Sequence, residues 1–338
     1  MFLIRNWQHR KLLSPFFDKG SVATIGNFDG FHKGHQRLIS QLQEAKKQYN
    51  MPSIVFLFEP QPNEFFNKST SVPRIMSLRE KLVALAQLDV SVVCILTFNR
   101  KLAEIEAHEF IGALVDSFKL KHLVIGDDFR FGKNRLGDQS LLKKLGLQLG
   151  FEVAQANALI EYGERVSSTR VRAALNDGNL SLASALLSHA IFFTAKVVYG
   201  SQLGQTIGIP TANFALRHRI YPVSGVFIVM VSDTPPILFN NAYSPHSAHL
   251  SNASSSWRYF GVANIGVRPT IDGKGISKLE VHILNFTGNL YGKRLYVTLL
   301  EKIRGEKRFD SINSLKEAIN ADVAYAVQWI DQTFQVNV

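Results

Sequence analysis

Cysteine is almost missing from this chain, with one, Cys94, in 338 residues. A lone thiol excludes an intramolecular disulfide and a cysteine-rich metal centre. Its place in the apolar run 90–98 suits a buried structural thiol rather than a nucleophile. No apolar run approaches the ~20 residues that span a bilayer. Met1 to Arg10 carries charge with no apolar stretch behind it, so no secretory leader is expected. Acid is the minority charge: 27 Asp and Glu against 38 Lys and Arg leave a formal net charge of +11. A basic chain takes nucleic acid or small anions as partners. The basic residues here are scattered, and the densest group, Lys302 to Arg308, is broken by Glu306 and has no interleaved aromatics. Phosphate-bearing substrates in a soluble cytoplasmic protein are the expectation, with no nucleic acid and no membrane as partner.

What is present is enough apolar residue, 46%, for real cores. The length suggests two domains, and a change of texture puts the boundary at residues 1–187 and 188–338. In the first, strand-like segments at 22–25, 53–58, 91–97 and 122–125 alternate with helix-like segments near 35–48, 77–88, 107–117 and 139–149. Apolar strands without alternation, between amphipathic helices, predict a doubly wound parallel sheet. In the second, strand-like stretches at 192–199, 225–231, 259–264, 279–285 and 294–301 predict an antiparallel β-barrel. A terminal helix over 312–331, with Ile312, Leu315, Ile319, Val323 and Val327 on one side, follows it. Residues 232–256, rich in Pro, Ser, Asn and His, read as a long surface loop, and His246 and His249 within it lack companions for a metal site.

The first half turns on Gly26-Asn27-Phe28-Asp29-Gly30-Phe31-His32-Lys33-Gly34-His35, where a strand hands over to a helix. Unpaired amides and the positive dipole end at a helix N-terminus suit a phosphate. Gly30 and Gly34 remove side chains where a ligand would touch backbone, and His32 and His35 add donors to an oxyanion. Phe58-Glu59-Pro60-Gln61-Pro62 ends the second strand in an extended loop. Gly126-Asp127-Asp128-Phe129-Arg130-Phe131-Gly132 ends the fourth, and its mixture of acids, bases and aromatics suits a ligand rim or a solvated turn. Further on, Ser167-Ser168-Thr169-Arg170-Val171-Arg172 reads either as a capped helix with exposed arginines or as a second anion cradle.

The second half turns on Gly204-Gln205-Thr206-Ile207-Gly208-Ile209-Pro210-Thr211-Ala212-Asn213. Gly200, Gly204 and Gly208 allow a backbone loop to close over phosphates, though the spacing is not that of a P-loop. Thr211 and Asn213 offer neutral oxygens to Mg²⁺ beside phosphate oxygens. Glu280 sits in an alternating strand, one face of which should be polar.

These motifs, in this order over about residues 20–330, resemble the bacterial bifunctional riboflavin kinase/FAD synthetase family. The Gly-Asn-Phe-Asp-Gly-x-His-x-Gly-His stretch resembles its nucleotidyltransferase signature, and Pro210-Thr211-Ala212-Asn213 its riboflavin kinase signature. The resemblance implies two reactions. A C-terminal domain would phosphorylate riboflavin to FMN, and an N-terminal domain would adenylylate FMN to FAD with release of pyrophosphate, both using ATP and Mg²⁺. It implies His32 and His35 at the adenylyl-transfer centre, with Gly26, Asn27, Phe28, Asp29, Gly30 and Gly34 around the nucleotide. Ser168, Thr169 and Arg172 would meet the triphosphate, and Arg165 is a weaker candidate there. Asp128 and the backbone around Phe129 would shape the flavin pocket. In the kinase half Gly204 and Gly208 would border the nucleotide, Thr211 and Asn213 the metal, and Glu280 would be the general base. The chain departs from the family pattern at Gln61 (usually His), Ser188-His189 (usually Gly-Arg), Ala195 (usually Gly) and Gln205 (usually Arg). The departures at Ala195 and Gln205 leave open an FAD synthetase with an impaired kinase half. A non-catalytic nucleic-acid-binding or regulatory protein on the same scaffold is the other alternative.

Overall fold

The computed structural model describes residues 1–67, 72–200, 204, 208–216, 220–239, 257–268 and 276–335. Gln205 and the pair His246 and His249 lie outside the described residues. The chain divides into two compact units, Met1–Val72 with Lys81–Ser167, and Pro73–Glu80 with Ser168–Val338.

The first unit holds a parallel sheet of six strands: β1 (Phe2–Arg5), β2 (Ser21–Gly26), β3 (Ser53–Glu59), β4 (Val92–Thr97), β5 (Leu120–Gly126) and β6 (Glu152–Ala156). Their order is β1-β4-β3-β2-β5-β6. The helices α1 (Lys33–Tyr49), α2 (Pro62–Phe66), α3 (Leu78–Gln87), α4 (Arg100–Ala103), α5 (Ala107–Phe118) and α6 (Gln139–Leu149) fall between strands. The four inner strands read as apolar runs because both faces are covered: five consecutive residues of β2, β3 and β4 are buried. Cys94 lies in β4, and desolvation pushes its thiol up to about 12, which makes it inert. The sequence reading missed β1 and β6, the two edges. Half-exposed edge strands carry too little apolar signal, as the burial of only Ile4 in β1 illustrates. A small hairpin, β7 (Ile160–Glu161) with β8 (Glu164–Arg165), closes the unit.

The second unit carries α7 (Ser168–Asn176) and α8 (Leu180–Leu187), then a closed antiparallel barrel. Its strands are β9 (Phe192–Val198), β10 (Ala212–Phe214), β11 (Gly225–Ser232), β12 (Arg258–Arg268), β13 (Ile276–Ile283) and β14 (Arg294–Arg304), in the order β10-β13-β12-β11-β14-β9. Three-residue β10 is too short to read from periodicity. All eight residues of β11 are buried. Phe227, Val229 and Val231 face one way into the barrel, while Val226, Ile228 and Met230 pack outward against Ala326, Ile330 and Phe334 of α9 (Ile312–Phe334). Segment 73–80 joins this unit: Arg74 N–H donates to the Ile220 carbonyl at 3.1 Å, and Thr194 N–H to the buried Glu80 carboxylate at 2.9 Å.

Candidate functional site

In the parallel sheet β2 leads to β3 on one side, while β5 joins on its other side, so the strand order reverses between β2 and β5. Ligands of such sheets bind beyond the strands' carboxyl ends at that reversal. The carboxyl end of β2 is the Gly26–His35 turn, and that of β5 is the Gly126–Gly132 loop.

The turn is built from aromatics as much as from glycine. Phe28 and Phe31 both take left-handed backbone, with φ of 47° and 49°, beside Gly30 at 88°. Such backbone costs ~1–3 kcal/mol per non-glycine residue. Their buried rings stack 5.5 Å apart and enclose the imidazole of His35, 5.2 Å from Phe28 and 6.2 Å from Phe31. His32 is the N-cap of α1, its carbonyl accepting from the amides of His35 at 2.7 Å and Gln36 at 3.1 Å. The two imidazoles stack face to face with centroids 3.7 Å apart. Gly34 permits this, since a Cβ there would lie 3.1 Å from the His32 ring. Burial first, then the His32 imidazole, then the Lys81 ammonium hold His35 well below its ordinary 6.5, so it is neutral at pH 7. Its Nδ1 is buried with no hydrogen-bond partner among the described residues. The neutral His35 imidazole, the His32 ring stacked on it and the first amides of α1 together make a donor array for a phosphate oxygen.

Around it, Asp29 is buried and Arg165 donates to Asp127 at 2.6 Å, while Asp128 is exposed. Phe129 stacks on Phe131 at 5.4 Å, and a two-bond bridge between Phe131 and Gly137 closes the loop. Gln61 is buried before α2, and its side-chain nitrogen has no partner among the described residues. Ser168 and Thr169 open α7, and Arg172 donates from Nε to the Pro73 carbonyl at 2.8 Å.

The second candidate site is on the barrel. Alternation along β13 turns Leu279, Val281 and Ile283 inward and Lys278, Glu280 and His282 outward. The register places Asn213 of β10 and Asn264 of β12 directly across from Glu280, one on each side. Thr211, Glu280, Asn264, Arg304 and Asp322 line a cavity of about 300 Å³ there, together with Gly204. Lys278 Nζ lies 2.7 Å from the Glu280 carboxylate, and His282 Nδ1 lies 2.9 Å from the Pro210 carbonyl. Arg304 grips Asp322 of α9, donating from Nε at 2.9 and 3.2 Å and from Nη2 at 2.8 Å. The Asn213 side chain is buried, and its Oδ1 has no partner among the described residues. Any Cβ at Gly200 would collide with that side chain, and one at Gly204 with the Ile209 carbonyl. Gly208 has φ of 80°. An uncommitted buried oxygen on Asn213, across the register from the Glu280 carboxylate and two residues along the chain from Thr211, is a donor set that fits a hard cation.

A family model described as FAD synthetase matches residues 15–170, and one described as riboflavin kinase matches residues 187–330. The chain is 42% identical over 322 residues to the bifunctional riboflavin kinase/FMN adenylyltransferase of Escherichia coli (strain K12), covering 95% of this chain and 96% of that one. The chain belongs to that family. A member of the same name from Pseudomonas fluorescens is 42% identical over 309 residues, covering 91% and 92%. A solved structure described as a macrolide-efflux protein from Streptococcus pneumoniae shares the fold with a TM-score of 0.75 at 27% identity, covering 96% of this chain and 99% of that one. Among the described residues of this family member, no helix is long and apolar enough to cross a membrane.

Two features escaped the sequence reading. One is the phenylalanine cluster at the carboxyl ends of β3 and β4, where Phe58 and Phe65 pack on Phe98 at 5.7 and 5.5 Å and Phe66 is exposed. The run Phe65-Phe66 directly after a proline loop was the available signal. The other is Lys81, buried behind the turn, which nothing in its local sequence marks. Of the family departures, His189 is buried with Nδ1 2.8 Å from the Ala190 carbonyl, and Ala195 is a buried strand position opposite Leu295.

Proposed function

We propose that residues 1–187 adenylylate FMN to FAD and residues 188–338 phosphorylate riboflavin to FMN, each with ATP as co-substrate. In the first reaction an FMN phosphate oxygen attacks the α-phosphorus of ATP, and the bond to the β-phosphate oxygen breaks to release pyrophosphate. No covalent enzyme intermediate is required, so alignment and charge stabilisation do the work. His32, His35 and the first amides of α1 would donate to the developing charge, with Gly26, Asn27, Phe28, Asp29, Gly30 and Gly34 shaping the nucleotide's seat. For the triphosphate we assign Ser168, Thr169 and Arg172, hydroxyls at a helix N-terminus and a guanidinium fork. Asp128 and Phe129 would border the flavin. The observation that carries this reading is the stacked imidazole pair at the start of α1, with His32 as its N-cap, at the reversal of strand order.

In the second reaction Glu280 takes the proton of the riboflavin 5′-hydroxyl, whose oxygen then attacks the γ-phosphorus, and ADP leaves. Gly204 and Gly208 would let the loop lie along the phosphates. Thr211 and Asn213 would hold Mg²⁺, a reading supported by the uncommitted Asn213 Oδ1. When bound, the ion neutralises phosphate charge. The small-molecule partners are thus riboflavin, FMN, FAD and ATP. A cytoplasmic location goes with the reading, because ATP is a cytoplasmic metabolite.

The test is a chromatographic product assay of the purified chain with riboflavin, ATP and Mg²⁺. The expected result is FMN followed by FAD. FAD from supplied FMN, with none from riboflavin, would restrict the chain to an FAD synthetase and give Ala195 and Gln205 weight as inactivating changes. Salt-sensitive nucleic-acid affinity with no turnover would overturn both assignments.

A further inference from the structure

Lys81 sits in the first turns of α3 and is 1% exposed, the one fully buried lysine among the described residues. Desolvating an ammonium costs several kcal/mol unless the site repays it with strong hydrogen bonds. Its Nζ donates to the backbone carbonyl of Asn27 at 2.6 Å, a short charge-assisted bond spanning 54 residues of chain. Asn27 lies between Gly26 and left-handed Phe28, inside the strained part of the turn. Strained backbone persists only where its surroundings over-determine it.

We propose that Lys81 is a positioning residue of the adenylyl-transfer site, its buried ammonium clamping the Asn27 carbonyl and so fixing the turn that carries His32 and His35. The proposal rests on the adenylyl-transfer reading of that turn. A neutral glutamine or methionine would fill the space but not supply the cation. The cation matters twice. It tightens the bond to a carbonyl of the turn, and it places positive charge within electrostatic reach of His35. Among the described residues, the charged and titratable groups that act on His35 are His32 and Lys81. Like charge from Lys81 opposes protonation of His35, which keeps one ring nitrogen a donor and the other a lone pair.

The experiment compares Lys81→Met and Lys81→Arg with the parent chain, His35→Ala serving as reference. Three quantities are read: FAD formed from FMN, FMN formed from riboflavin, and the NMR titration of the His35 Cε1–H. A misplaced turn costs about 10²-fold in rate. Lys81→Met is therefore expected to lose FAD formation on that scale while FMN formation is unchanged, and its His35 titration should move up towards 6.5. Lys81→Arg should recover most of both. Should Lys81→Met fail to fold, Lys81→Gln, which keeps a donor without charge, supplies the same readouts. If the parent makes FAD, His35→Ala abolishes it, and the Lys81 variant changes neither rate nor titration, the positioning role is overturned and the reading of the site survives. If the parent makes no FAD from FMN, that reading falls and the positioning role falls with it.

Discussion

In the parallel-sheet unit the candidate site is made largely of backbone, while in the barrel it is made of side chains. The turn after β2 presents the first amides of α1 and two stacked imidazoles, of which His35 is held neutral chiefly by burial. Its parts span ten residues, and its shape depends on left-handed backbone at Phe28 and Phe31. The barrel site instead gathers Thr211, Asn264, Glu280, Arg304 and Asp322 around a cavity, residues brought together only by strand register and by α9. Its charges are partly solvated and paired: Glu280 with Lys278, Arg304 with Asp322. A backbone-built site should resist changes on its rim and fail when the turn is misplaced. A side-chain-built site should fail one group at a time.

The sharpest separation comes from Glu280→Gln. It is nearly isosteric and keeps the register with Asn213 and Asn264, but cannot accept a proton. Loss of a general base costs about 10²–10⁴-fold, so riboflavin phosphorylation should fall on that scale while FMN is still converted to FAD at the parental rate. Unchanged phosphorylation would remove Glu280 from the reaction. The mirror experiment, His35→Ala, should cut FAD formation by about 10²–10³-fold, the scale set by loss of one preorganised donor, and spare FMN formation. Equal loss in both reactions would mean that the two units are not functionally separable, which would break the comparison outright.

A smaller effect is expected at Gly200, whose role is purely steric. Gly200→Ala would drive a methyl into the Asn213 side chain. Overpacking of this kind costs about 1–3 kcal/mol, and here it also turns the Asn213 oxygen away from its present position. The Mg²⁺ dependence of riboflavin phosphorylation should shift to higher concentration, with FAD formation from FMN unaffected. An unchanged Mg²⁺ dependence would dissociate Asn213 from the metal.

The same contrast explains what the sequence revealed. The β2 turn is contiguous, so its chemistry could be read from adjacent letters, and the apolar runs of the inner strands announced a parallel sheet. Glu280 could be placed on a polar face from alternation alone, because Leu279, Val281 and Ile283 fix the other face. What could not be read is whatever depends on which strands are neighbours. The row Asn213–Glu280–Asn264 exists only through register, and three-residue β10 gives no periodic signal. Lys81 looks like any polar helix residue, and its partner, the Asn27 carbonyl, lies 54 residues away in the chain. The left-handed Phe28 and Phe31 were equally hidden, since β-region backbone is the default for an aromatic.

The smallest effect tests burial itself. The folded chain holds His35 well below 6.5, so between its folded value and 6.5 the unfolded chain takes up a proton that the native chain refuses. Stability therefore rises with pH through that window, by at most about 1.4 kcal/mol per pH unit, and this contribution is constant above it. On acidification the first unit should lose stability below about pH 6.5, the ordinary value for His35. Of the three tryptophans, Trp7 alone belongs to the first unit, so urea unfolding followed by its fluorescence in a chain carrying Trp257→Phe and Trp329→Phe isolates that unit. The pH dependence should be reduced in the same background with His35→Phe, which keeps an aromatic in the Phe28–Phe31 box and removes the titrating group. If the slope persists unchanged, His35 is already protonated in the native turn, and the donor array would be a charged one instead.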